Sequence, residues 1–222
     1  MSFRLPRFDM LAEDFFNDPA LLYGVYALPS SFLSSFGAII VRMMLIVGGF
    51  SGSGKRYVVR AFAEKYGFYQ YPIREKMLRM FVKDRRGLMR EQVLQPKDNN
   101  EQLRIYERIA SEFPRLTKMY PHVLVTDTFH KAAPRNFLLG EARKYFDNTA
   151  FVWIHSDEQS TARRMLARNP SAQPSIEEKL RTKKVQEQEF EAFDADVLKI
   201  DYKDSLAETV AELRSVIGTA FT

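Results

Sequence analysis

From residue 44 onward, short apolar runs alternate with longer segments of helical period. The runs MLIV (44–47), FYQY (68–71), HVLVT (122–126), AFVWI (150–154) and VLKI (197–200) read as five strands. The first, third and fourth are almost continuously apolar, as strands covered on both faces must be. Between them, amphipathic stretches predict helices over 55–66, 74–91, 100–113, 134–146, 158–168, 175–193 and 205–217, with Gly67 and Gly218 as C-terminal caps. Leu206, Thr209, Val210, Leu213, Val216 and Ile217 share one stripe of the last helix, which should therefore pack on a sheet rather than trail from it. Alternation of this kind predicts an α/β fold, a five-stranded parallel sheet flanked by helices.

Residues 1–42 follow neither period. They carry eight aromatics (Phe3, Phe8, Phe15, Phe16, Tyr23, Tyr26, Phe32 and Phe36) and three prolines. The domain boundary therefore falls at 42/43, with an extension over 1–42 and one α/β domain over 43–222. Met43 and Met44 stand directly before the first strand. Either the natural start lies there, or the extension docks loosely and covers the sheet edge; the sequence supports both readings equally. Arg42 interrupts the apolar residues around it, so neither half reaches the roughly 20 residues of a membrane span. No basic, apolar and small-residue segments follow one another as in a secretory signal. A soluble, cytoplasmic protein without a membrane partner is expected.

Composition narrows the chemistry. Of 222 residues, 45% are hydrophobic and 27% charged, enough for a core and too apolar for a disordered chain. The chain has no cysteine, which excludes a disulfide framework, thiolate metal sites and a cysteine nucleophile. The net charge of +5 is unevenly spread. Bases concentrate over 74–90 and over 163–184, whereas acids dominate from Val185 onward. The two basic segments attract anions.

One motif stands out. Gly49, Phe50, Ser51, Gly52, Ser53, Gly54 and Lys55 form G-x-x-x-x-G-K between the first strand and the first helix. Glycines let the backbone curl so that successive N–H groups point inward. The helix N-terminus adds positive potential, and the lysine reaches terminal phosphates. A nucleoside triphosphate is the matching ligand. The next position commonly carries a Ser or Thr whose hydroxyl binds Mg²⁺, and here it is Arg56. Three routes remain open: a hydroxyl from Ser53, Thr126 or Thr128, metal held mainly by water and Asp127, or nucleotide binding with poor turnover.

Asp127 ends the third strand, where a carboxylate can hold Mg²⁺ and its waters. His130, three residues on, could face the same cleft. Arg164 and Arg168 lie four apart on one helix face after the fourth strand, a spacing that can bring two guanidinium groups onto transferring phosphoryl oxygens. Arg74, at the head of the helix after the second strand, is placed to meet an acceptor.

The sequences GGFSGSGK, VLVTDTFHKAAPRNFLLGEARKYF and FVWIHSDEQSTARRMLAR resemble, in that order, the P-loop kinases of the adenylate kinase, polynucleotide kinase and zeta toxin kind, over residues 44–217. The resemblance implies a strand order 2-3-1-4-5 and transfer of the ATP γ-phosphoryl group to a bound acceptor with Mg²⁺. It further implies Lys55 on the phosphates, Asp127 at the metal, Arg164 and Arg168 in a lid, and Arg135 on the helix after the third strand in contact with substrate. Two departures bear on mechanism: Arg56 replaces the metal hydroxyl, and Tyr71 stands near the place of an acidic general base, with Glu75 the nearest acid. These favour a phosphate-bearing acceptor, such as a nucleotide, whose oxygen is already anionic. A nucleotide-binding sensor without useful turnover and a kinase of nucleic-acid 5′ ends are the competing readings.

Overall fold

The computed structural model describes residues 41–73, 76–77, 99–168, 173–193, 197–202 and 205–220. Its elements are β1 (Met43–Gly48), α1 (Lys55–Tyr66), β2 (Tyr69–Gln70), α2 (Asn99–Ala110), α3 (Phe113–Met119), β3 (His122–Thr126), α4 (Ala132–Ala142), β4 (Asn148–His155), α5 (Glu158–Arg168), α6 (Gln173–Gln188), β5 (Leu198–Asp201) and α7 (Leu206–Ala220). All but the last two residues of the expected extension, and most of the helix expected over 74–91, lie outside the described residues.

The strands form one parallel sheet in the order β2-β3-β1-β4-β5, as expected. Alternate residues of each strand serve opposite faces. Met44 and Ile46 of β1, with Val123, Val125, Phe151 and Trp153, meet Ile105, Tyr106, Ile109, Phe113, Leu116 and Leu138 of α2, α3 and α4. Met43, Leu45 and Val47, with Leu124, Val152 and Ile154, meet Val58, Val59 and Phe62 of α1 and Val210, Leu213 and Ile217 of α7. Residues of β1 are therefore buried on both sides, which is why its run is apolar without alternation.

Three expectations are corrected. The helix expected over 100–113 ends at Ala110 as α2, and a further helix that was not expected, α3, starts at Phe113 with Pro114, which lacks an N–H, in its first turn. Gly218 does not stop the last helix, which runs to Ala220. A glycine caps by taking left-handed backbone, as Gly67 does at φ 70°, its N–H donating to Ala63 O. Helix α6 ends at Gln188 rather than at 193, and the chain beyond it turns Phe190 and Phe193 onto Trp153.

At the opposite end of the sheet from the loop, His122 opens β3 against the ring of Phe68, with centroids 5.1 Å apart, beside Met43, Phe62, Tyr66 and Ile217. Burial lowers its pKa to about 4. The unfolded chain takes up a proton near pH 6.5 and the native chain only near 4, so stability present above 6.5 is lost as pH falls through that window. Urea unfolding between pH 7 and 4.5 should show wild type losing on the order of 2 kcal/mol more than His122→Phe. Parallel losses in the two proteins would exclude His122 as the source.

Candidate functional site

The C-terminal ends of β1, β3 and β4 stand side by side, with Val47 opposite Thr126 and Gly48 opposite Trp153. The loop after β1 therefore lies next to Asp127. Within that loop Gly52 (φ 81°) and Gly54 (φ 83°) flank Ser53 in left-handed conformations that other residues rarely adopt. A side chain at Gly52 would meet Thr161 of α5, and one at Gly54 would meet the ring of Tyr202. This alternation makes a concave nest of backbone N–H groups at the N-terminus of α1. The first turn of α1 holds no acid and carries Lys55 and Arg56, where the helix dipole disfavours cations. Such a terminus is built for an anion.

Lys55 is 8% exposed, and its ammonium donates to Phe50 O at 3.1 Å. Gly49 N–H donates to Thr128 O at 3.2 Å, tying the loop to the turn after β3. Ser51 N–H donates to Gln186 Oε1 of α6 at 2.8 Å. Phe50 packs edge-on against Trp153 (4.9 Å) and Phe190 (5.6 Å). Arg56 is exposed on the first turn of α1.

Asp127 is held by two donors. Its Oδ2 accepts from Tyr106 O–H and its Oδ1 from Thr128 N–H, each at 2.8 Å. Burial, and then the charge of Asp127, pushes the Tyr106 phenol well above its ordinary pKa, so it remains a donor. A carboxylate has about four acceptor sites, so two remain open among the described residues. Of the three candidate hydroxyls, Thr126 donates to Val47 O at 3.1 Å and Thr128 lies 3.4 Å from His130 Nδ1. Ser53 Oγ is buried and has no hydrogen-bond partner among the described residues. Among those residues no group of three or more His, Asp or Glu side chains could hold a metal ion. One open carboxylate suits Mg²⁺, which keeps most of its waters and takes further oxygens from phosphates.

The remaining expected residues are placed as follows. Arg164 and Arg168 belong to α5, one helical turn apart; their side chains, and all of Arg74, lie outside the described residues. Arg135 sits on α4 but is only 2% exposed. Its guanidinium donates to Phe129 O (3.3 Å), Glu191 O (3.3 Å) and Ala192 O (2.6 Å) and lies 4.6 Å from the Phe193 ring centroid. It thus braces Phe129, a buried non-glycine residue at φ 52°, and joins the turn after β3 to the chain after α6. His130 pairs with Glu189 at 3.5 Å, and burial, aided by Lys131, lowers its pKa. Tyr71 is buried and donates to Glu112 Oε1 at 3.0 Å; burial and Glu112 raise its pKa, which makes it no base. Beside β2, a cavity of about 490 Å³ is lined by Tyr71, Lys76, Met77, Ile105, Arg108, Ile109 and Glu112.

Sequence reasoning missed Gln186 and Tyr106. The one signal was Tyr106 itself, a phenol on the core face of a helix, which needs a partner when buried.

Among solved structures, the chain is similar to a gluconokinase from Sinorhizobium meliloti 1021, at TM-score 0.60 and 23% identity over 80% of this chain and 92% of that one. It is also similar to a sugar kinase from Janibacter sp. HTCC2649, at TM-score 0.54 and 16% identity over 81% of this chain and 96% of that one. No protein-family model matches the chain, and no curated protein does. Sheet order, flanking helices and these neighbours define the P-loop kinase fold. Among the described residues no helix is long and apolar enough to cross a membrane.

Removing the Arg135 guanidinium would leave three main-chain carbonyls without their donor. Arg135→Ala should lower the unfolding free energy by on the order of 3 kcal/mol in urea titrations. An unchanged midpoint would contradict the bracing role.

Proposed function

We propose that the chain is an ATP-dependent kinase that transfers the γ-phosphoryl group to a small anionic acceptor, a nucleotide or another phosphorylated metabolite. The observation that carries this reading is the nest of loop amides and Lys55, set across neighbouring strands from the open acceptor sites of Asp127. The kinase neighbours support a phosphotransferase acting on a small molecule.

In this reading the loop amides hold the phosphate chain, and Lys55 exchanges Phe50 O for terminal phosphoryl oxygens. Asp127, kept in one orientation by Tyr106 and the Thr128 amide, would hold Mg²⁺ largely through water. When bound, that ion offsets charge on the phosphoryl oxygens. Arg164 and Arg168 on α5 supply planar donors for the transferring group, and Arg74 the contact to the acceptor. The cavity beside β2 has the volume of a small-molecule site and carries Arg108 for an anion, beside a Lys76 whose ammonium pairs with Glu112. With Tyr71 engaged by Glu112, an acceptor oxygen that is already anionic needs positioning rather than deprotonation.

A second reading, a nucleotide-binding protein with little turnover, is favoured by one observation. Arg56 is exposed on the first turn of α1, where a fixed cation could meet phosphates without metal.

Calorimetric titration of ATP with and without Mg²⁺ separates the readings. For a kinase, Mg²⁺ strengthens binding, and Lys55→Ala weakens it and lowers transfer by roughly 100-fold or more. Asp127→Asn should retain metal-free ATP binding and lose the gain from Mg²⁺. Undiminished transfer in Lys55→Ala would reject the kinase. Affinity indifferent to Mg²⁺, with Arg56→Ser raising turnover, would instead establish the second reading.

A further inference from the structure

Among the described residues, the N–H groups of Gly52 and Gly54 meet no protein acceptor, while Gly49 N–H and Ser53 N–H donate to backbone carbonyls. Ser51 N–H differs from both sets. Its acceptor is a side-chain oxygen, Gln186 Oε1, brought from 135 residues along the chain. This contact has no part in the mechanism proposed above.

Gln186 is held in place by the rest of its helix. Lys183, one turn earlier, is 5% exposed and its ammonium pairs with Glu187. Lys184 reaches Glu158 of α5 at 3.3 Å. Phe190, just past the end of α6, lies 5.6 Å from Phe50 in the loop and 5.4 Å from Trp153 beneath it. Gln186 therefore meets the loop from the last turns of α6, and Phe190 meets it from the chain just beyond.

A side-chain amide oxygen and a phosphoryl oxygen are both acceptors, and one N–H makes one well-aligned bond at a time. We propose that Gln186 is a phosphate-competing side chain: its Oε1 holds the Ser51 amide that a phosphoryl oxygen takes when nucleotide binds. The inference rests on reading the loop as a phosphate site. It adds α6 to that site, and it assigns Gln186 the opposite sign from a simple ligand. A side chain that contributes to binding weakens it when truncated, whereas a competitor strengthens it.

The test is calorimetric titration of the full chain with ATP and with tripolyphosphate, which carries the phosphate chain without the base. The proteins are wild type, Gln186→Ala, Gln186→Glu and, as control, Lys55→Ala, each checked by thermal melting. Removing one neutral competing hydrogen bond should tighten both ligands in Gln186→Ala by about two- to tenfold. Gln186→Glu places a charged acceptor on the same amide and repels the phosphates, so it should weaken both by roughly tenfold or more. Weaker binding in Gln186→Ala, or equal affinities in wild type and both Gln186 variants, would overturn the competition while leaving the loop a phosphate site. No binding of either ligand to wild type would overturn both.

Discussion

The parallel pairing of β1 with β3 on one side and β4 on the other is the constraint on which the site depends. It sets Val47 opposite Thr126 and Gly48 opposite Trp153, so that the loop leaving β1 and the aspartate leaving β3 emerge together. Register cannot drift, because a slip of one residue would turn Met44 and Ile46 away from α2, α3 and α4 and exchange the two faces of the sheet. The same alternation that fills both cores therefore sets the start of the loop that carries Lys55 beside Asp127, whose N–H donates to Val47 O. The arrangement of the candidate site is a consequence of side-chain parity along one buried strand.

Around that strand, three turns are bound into one assembly. Gly49 N–H reaches Thr128 O, joining the loop after β1 to the turn after β3. Glu191 N–H reaches His130 O, and the Arg135 guanidinium bridges Phe129 O to Glu191 O and Ala192 O, joining that turn to the chain after α6. Gln186 closes the circuit by returning from α6 to Ser51. The left-handed Phe129 is tolerated because its ring stacks 5.4 Å from Tyr106 while its carbonyl is held by Arg135. Tyr106 in turn holds Asp127, so the strained residue and the site carboxylate share one neighbour.

What could be read beforehand followed from local pattern. Strands β1, β3 and β4 were legible because burial on both faces leaves an uninterrupted apolar run, and the glycine loop because its spacing has one mechanical purpose. Strand β2, only two residues long, gave little pattern, and the helical period of 100–113 runs on past the end of α2 at Ala110 without a mark. Gly67 and Gly218 look alike in sequence, yet only Gly67 takes left-handed backbone. Gln186 and Tyr106 were illegible for another reason: each acts through a partner that only the fold brings near, 135 and 21 residues away. Arg135 could be read as a base on a helix after β3, but not as a brace, since two of its acceptors lie more than 50 residues downstream.

Arg56 changes the electrostatics of the site rather than its shape. With no acid in the first turn of α1, two adjacent cations face the positive end of the helix dipole, an arrangement that is unfavourable until an anion arrives. A hydroxyl at this position would hold a dication that departs with the product, whereas an arginine leaves a single positive charge permanently in place. The carboxylate side of the site is unaltered by this exchange: among the described residues Asp127 keeps two donors and two open acceptor sites whichever residue follows Lys55. In the proposed reading, phosphate affinity and metal use, which are coupled through one hydroxyl in the common form of the motif, are divided in this chain between Arg56 on α1 and Asp127 after β3.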